Sequence, residues 1–165
     1  MIAMVQKRID AGDAEALHFL GAQYFGGDLG LEKDAQRAVE LWWTEAAGLG
    51  SISAHFKLGC VYFYGDDGIQ KDECKGVGHW ERAAMDGDAG SRHRLGYSEG
   101  RKGNQKLALK HCLISAKMGH RPSLDMIKRM FMGGLATKEH SKNQTPDVHA
   151  WSKLVSHSSL MTILY

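Results

Sequence analysis

The stretch GSISAHFKLGCVYFYGDDGIQKDECKGVGHWERAAMDG, residues 50–87, carries the order of residue types that decides the fold. Ala54 is followed by Leu58-Gly59 and Tyr62, then glycines at 65 and 68, Asp72, Trp80, Ala83-Ala84 and a closing Gly87. Ala16, Leu20-Gly21, Tyr24, Gly27, Gly30 and Asp34 stand 38 positions earlier in the same order. Recurrence at that period marks a repeat architecture, in which one supersecondary unit cannot bury its apolar face alone and neighbours stack to complete a core.

Working outward, Asp13 offers a helix N-cap, and Ala16, Leu20, Gly21 and Tyr24 share one helical face. The glycine-rich loop 26–31 ends that helix, and Asp34 can cap a return helix running through Ala38, Leu41, Trp42 and Ala46-Ala47 to Gly50. Each unit is therefore a helix, a turn and a helix. Between Ala38 and Ala46 there are eight steps, but only seven between Gly76 and Ala83, so the first return helix holds one extra residue near Trp42 and Trp43. A third unit keeps Leu95-Gly96, puts Ser91 and Glu99 where the others have Ala and Tyr, and turns at Gly103-Asn104; looser packing is expected there. Closing glycines at 12, 50, 87 and 119 give spacings of 38, 37 and 32.

Glycine inside a helix costs up to about 1 kcal/mol in propensity, so Gly21, Gly59 and Gly96 predict a close approach of helices. The structural positions of the repeat are thus Ala16, Leu20, Gly21, Tyr24, Ala54, Leu58, Gly59, Tyr62, Trp80, Ala84, Leu95 and Gly96. Residues 1–12, with Ile2, Val5 and Ile9 at helical spacing, form an N-terminal capping helix. The array then occupies 13–135 as units 13–50, 51–87 and 88–119 and a partial unit 120–135 with Leu124, Ile127, Met130 and Phe131. Residues 136–165 are a polar linker and a capping helix or tail. Thr145-Pro146-Asp147 predicts a helix over 146–157 with Val148, Trp151, Leu154 and Val155.

Composition sets limits. The 165 residues are 43% hydrophobic and 24% charged, as in a globular chain. Lys7, Arg8 and Asp10 interrupt any apolar leader, and no apolar run reaches the roughly 18 residues of a membrane helix; a soluble, intracellular, cytoplasmic protein is the expectation. Cys60, Cys74 and Cys112 are odd in number with no close pair, which argues against a disulfide framework or zinc knuckle. Residues 1–87 hold 8 Lys or Arg against 14 Asp or Glu, giving −6, whereas residues 88–130 hold 10 against 3, giving +7. Such polarity steers partners.

The residues offer little for catalysis. There is no Gly-x-Ser-x-Gly elbow, phosphate loop or zinc-protease helix, and no cysteine in a nucleophile context. Of nine histidines, His18 and His93 recur three residues before the repeated glycine, but positions one or two units apart do not converge on a metal. Asp66-Asp67 lacks the ligand spacing of a calcium loop. No metal, cofactor or small-molecule substrate is expected.

Ala, Leu-Gly, Tyr, a Gly-x-x-Gly loop, Asp, a return helix with Trp and Ala-Ala, and Gly, at a spacing near 37, resemble the Sel-1-like repeat, a tetratricopeptide-like helix pair. That resemblance implies an all-α solenoid, a right-handed superhelix of three to four antiparallel helix pairs, acting as a noncatalytic adaptor or scaffold for proteins or peptides. In tetratricopeptide-like arrays the first helix of each pair lines the groove. Aligned on Leu-Gly, the implied groove residues are His18, Phe25, Phe56, Phe63, Tyr64, His93, Tyr97, Arg101 and Arg129. The competing reading is that Phe25, Phe56 and Phe63 pack between repeats. The chain also resembles a eukaryotic subgroup whose repeats follow a RING-type finger; none is present in this sequence, so a ubiquitin-ligase role does not transfer, and the start inside a helix pair suggests a fragment. Some Cys-rich bacterial relatives are linked to β-lactam binding or hydrolysis, but this chain lacks their two cysteines per repeat. Arg92, Arg94, Arg101, Lys102, Lys106 and Lys110 raise a nucleic-acid alternative, which the acidic first half and the lack of a recognised motif oppose.

Overall fold

The computed structural model describes residues 2–135, with the backbone alone for Leu41 and Trp42; the helix expected over 146–157 lies outside the described residues. Among the described residues every regular element is helical. Helix α1 (Ile2–Asp10) precedes α2 (Ala14–Gly26), whose return segment runs as α3 (Ala35–Arg37), a π-helical turn (Ala38–Trp43) and α4 (Thr44–Gly48). Next come the pairs α5 (Ile52–Tyr64) with α6 (Glu73–Met85) and α7 (Ala89–Arg101) with α8 (Gln105–Lys117), and α9 (Arg121–Met132) is the last helix among the described residues. This is the all-α repeat array that the residue pattern implied. No described helix is long and apolar enough to cross a membrane.

Side chains at fixed places begin each helix. Asp13, Ser51 and Asp88 accept N–H groups at the starts of α2, α5 and α7, while Asp34 and Asp72 do the same for the return helices through Arg37 N and Lys75 N. These bonds satisfy donors that a helix start leaves open. The closing glycines Gly12, Gly50, Gly87 and Gly119 all have left-handed φ, between 79° and 95°, which is why glycine recurs there.

The recurring Tyr and Asp belong to one device. Asp34 N donates to Tyr24 O at 2.9 Å and Asp72 N to Tyr62 O at 2.7 Å, which fixes where each long loop ends. Three residues beyond each cap, Arg37 lies 5.5 Å from the Tyr24 ring centroid and Lys75 lies 3.8 Å from that of Tyr62. Cation and ring attract across the pair. In the third unit Glu99 replaces Tyr and holds the shorter turn differently, accepting from Lys102 at 2.8 Å and Asn104 at 2.7 Å. A polar clasp thus takes the place of the aromatic one.

The extra residue of the first return helix becomes the π turn. Thr44 N donates to Val39 O, five residues back, and the Thr44 hydroxyl reaches the same carbonyl at 2.6 Å. A single widened turn absorbs an insertion and leaves the helical phase beyond it unchanged. Trp43 then stands three residues before Ala46, as Trp80 stands before Ala83, and both indoles are fully buried. Trp43 is therefore the counterpart of Trp80.

Phe25 packs on Trp43 with ring centroids 5.0 Å apart, and Phe63 packs on Trp80 at 4.7 Å. In the third unit both partners shrink together, to Gly100 and Cys112. Met126 of α9 fills the vacated volume: its Sδ lies 3.5 Å from Cys112 Sγ, and its Cε would be 3.8 Å from a Cβ on Gly100. At the N-terminal end α1 contributes Ile9 to the first core, while Ile2 stays exposed.

Candidate interaction face

The first helices lie side by side, tied by side chains from unit to unit. Ser51 Oγ at the start of α5 donates to Glu15 of α2 at 2.6 Å, Arg94 of α7 donates to the Tyr64 hydroxyl of α5 at 3.0 Å, and His93 of α7 meets Ser123 Oγ of α9 at 2.9 Å. Return-helix tryptophans cover one side of this layer. The outward stripe on these helices follows steps of three, four and seven residues. It presents Phe19 on α2, Lys57 and Tyr64 on α5, Arg94, Tyr97 and Arg101 on α7, and Arg129 on α9.

Of the residues that the resemblance implied, Tyr64 and Tyr97 are each 40% exposed, and Arg101 and Arg129 are exposed. Phe63 requires a correction. It is 1% exposed and faces Trp80 and Gly76, so it belongs to the core and not to an open groove. One helical residue turns about 100°, which is enough to send Phe63 inward while Tyr64 points out. Phe25 is half-buried on Trp43, and half-buried Phe56 packs into the core shared with Leu95, its Cε2 3.3 Å from where a Gly90 Cβ would stand. Those two phenylalanines pack within and between units.

His18, Phe56 and His93 occupy equivalent positions, two residues before the repeated leucine, and all are half-buried at the seams. Trp43 Nε1 donates to His18 O at 3.1 Å. Ser115 Oγ donates to Ala89 O at 2.7 Å, and Ser123 Oγ donates to Ser115 Oγ at 2.8 Å, so the Nδ1–H of both His93 and His120 can donate to Ser123 Oγ. Burial, the neighbouring His120 and then Arg94 and Arg129 hold His93 neutral, its pKa pushed down to about 4. A second pair, His55 and His79, shares one proton between Nδ1 atoms 3.0 Å apart; burial foremost, then His55 and Lys75, pushes His79 down to about 4. Among the described residues no three His, Cys, Asp or Glu side chains gather as a metal site.

Phe19 and Lys57 were not singled out from the sequence, and Arg94 only as one of the basic residues behind the nucleic-acid alternative, although one signal locates all three: each directly precedes the leucine of Leu-Gly. Arg94 stacks over Tyr64, 5.8 Å from its centroid, and Arg101 lies 5.6 Å from the Phe63 centroid and 3.4 Å from Glu73. Rigid aromatic and guanidinium groups on packed helices suit contact with another macromolecule. A shallow hollow near the start of α8, lined by Gly103, Asn104, Gln105, Lys106, Leu107 and Lys110, shares no residue with this stripe.

Comparison with known proteins agrees with this architecture. No curated protein matches the chain. Among solved structures it is similar to a Sel1 repeat protein from Oxalobacter formigenes, at 27% identity and a TM-score of 0.67, covering 78% of this chain and 97% of that one. It also shares its fold with c5321, a protective antigen of uropathogenic Escherichia coli strains with an SLR fold, at 21% identity and a TM-score of 0.52, covering 81% of this chain and 36% of that one. The Sel1 repeat model matches residues 14–51, 52–88 and 89–120. With three consecutive units matched across most of its described length, the chain belongs to the Sel1 repeat family.

Proposed function

We propose that the protein is a noncatalytic interaction scaffold that binds partner proteins or peptides along the stripe on its first helices. Sel1 repeats generally serve as protein-interaction scaffolds, which supports the reading at the level of the family. The observation that carries it is the placement of exposed Tyr64, Tyr97 and Arg101, with Arg94, on two neighbouring helices joined by the Arg94–Tyr64 bond. Such a row gives a partner apolar contact area and directed hydrogen bonds at small entropic cost.

Affinity capture from a cell extract tests this, comparing the native chain with the double variant Tyr97→Ala, Arg101→Ala. Partners recovered by the native chain and lost by the variant are the expected result. An unchanged set of captured proteins would remove the face from the proposal. Incubation with a chromogenic β-lactam tests the noncatalytic part, and reproducible turnover would overturn it.

A further inference from the structure

We propose that the stripe spanning α5, α7 and α9 recognises an acidic peptide segment of a partner protein, one with several carboxylates and an aromatic or aliphatic side chain. This rests on the interaction-face reading above and adds the chemistry of the occupant.

Along the first helices the charge changes sign. Helix α2 carries Glu15 and no Lys or Arg, whereas α5 carries Lys57 and no acid. Helix α7 has Arg92, Arg94 and Arg101 against Glu99, and α9 has Arg121, Lys128 and Arg129 against Asp125. The few acids are already engaged. Glu99 holds Lys102 and Asn104, Asp125 lies 3.7 Å from Lys128, and Glu73 of α6 takes Lys71 at 2.7 Å as well as Arg101.

Lys57, Arg94 and Arg129 have no carboxylate at ion-pair distance among the described residues. Arg94 is nevertheless held in place, by its bond to the Tyr64 hydroxyl and its position over the ring. An oriented guanidinium without an internal counter-ion is ready for a carboxylate from outside. Arg94 and Arg129 both act on His93, which places them around the same seam between α7 and α9. Tyr64 and Tyr97 lie among these cations and supply the apolar area. Charge of one sign attracts and aligns the partner, and the rings add contact.

A second basic surface serves as the internal control. Helix α8 has Lys106, Lys110 and Lys117 with no acid and no aromatic residue. Net attraction for any polyanion would involve α8 as well, whereas recognition of an acidic peptide on the first helices would not.

The test selects short random peptides by display against the full chain and sequences those enriched. Enriched peptides of net negative charge with an aromatic or aliphatic residue are expected. The leading one, synthesised with a fluorophore, is then titrated by anisotropy. Lys57→Gln with Arg129→Gln should weaken it about 10-fold or more, and Lys106→Gln with Lys110→Gln should leave it within about 2-fold. Raising salt from about 50 to about 300 mM should weaken it further. Circular dichroism verifies that both variants are folded. Neutral or basic enriched peptides that still depend on Tyr97 would overturn the acidic occupant and leave the interaction face standing. Enrichment no better than on blank resin would overturn both. Displacement of the peptide by a short poly-uridine RNA, with equal loss in the Lys57→Gln, Arg129→Gln and the Lys106→Gln, Lys110→Gln variants, would replace recognition of peptide by general polyanion binding.

Discussion

Gly59 and Trp80 meet face to face at the crossing of α5 and α6: a Cβ on Gly59 would overlap Cδ1 and Nε1 of the buried indole. The opposing helix answers with Gly76, where a Cβ would stand 2.8 Å from Phe63 N and 2.9 Å from Gly59 O. Two glycines therefore let the backbones approach closely while the indole lies across them. Gly59→Ala is expected to lower stability by about 1–3 kcal/mol through overpacking, although alanine raises helix propensity by about 1 kcal/mol. Gly78→Ala, on the same α6 with nothing within 4 Å of the new Cβ, should raise it by about 0.5–1 kcal/mol. Urea unfolding measures both, and equal midpoints for the two variants would remove the close-packing account.

Deleting a residue from the π turn should be tolerated. Removing exposed Glu40 leaves four steps from Ala38 to the buried indole, the spacing from Gly76 to Trp80, so the turn can close as ordinary helix with Trp43, Ala46 and Ala47 still inward. A loss within about 2 kcal/mol is expected. Removing Glu81 instead rotates Ala83 and Ala84 out of the core and should cost about 3 kcal/mol or more. Thermal melts of the two deletions give the comparison, and a more severe effect at Glu40 would contradict it.

The three thiols should react in a fixed order. Cys74 is exposed, Cys60 is half-buried with its pKa raised by burial, and buried Cys112 is pushed up to about 11 by burial. Thiolate is the reacting form. A colorimetric disulfide reagent should therefore label Cys74 first, Cys60 more slowly and Cys112 only as the chain unfolds. Prompt labelling of Cys112 in the native protein would contradict its packing against Met126.

Acid should weaken the fold. His79 and His93 titrate near 4 in the folded chain against an ordinary 6.5, because burial excludes the charged form first of all. Between those values the unfolded chain binds more protons, so stability is complete above about 6.5 and falls as pH drops toward 4. The slope is at most about 1.4 kcal/mol per pH unit for each histidine, reduced by whatever solvent reaches the rings. Melting temperatures measured across this range should decline, and His79→Asn should flatten the decline. A flat profile in the native chain would remove both shifts.

Much of the fold was legible because its signals are local. Asp13, Asp34, Asp72 and Asp88 act on N–H groups two or three residues away, and the closing glycines need only their own φ. The one-residue surplus near Trp42 and Trp43 was also visible by counting, but that Trp43 stands in the core against Phe25 depends on where the helix widens, which counting does not locate. The interaction stripe was read less completely. Phe63 and Tyr64 are neighbours of similar chemistry, and only the helix phase separates core from surface. Lys57 was passed over, and Arg94 was noticed only for its charge, because recurrence of residue type, the signal that marks structural positions, is absent where Phe19, Lys57 and Arg94 succeed one another.

The way Met126 enters the space between Gly100 and Cys112 separates the unit of sequence from the unit of folding. Read by its glycines, the third repeat is finished at Gly119; read by its interior, it is finished only when α9 has emerged. A ribosome that has released residues up to 119 holds a unit with a hole, and closure waits for the next twelve or so residues, about one further helix. The smallest piece that can be transplanted into another array is therefore α7 and α8 together with α9, and a graft cut at the glycine would carry its vacancy with it.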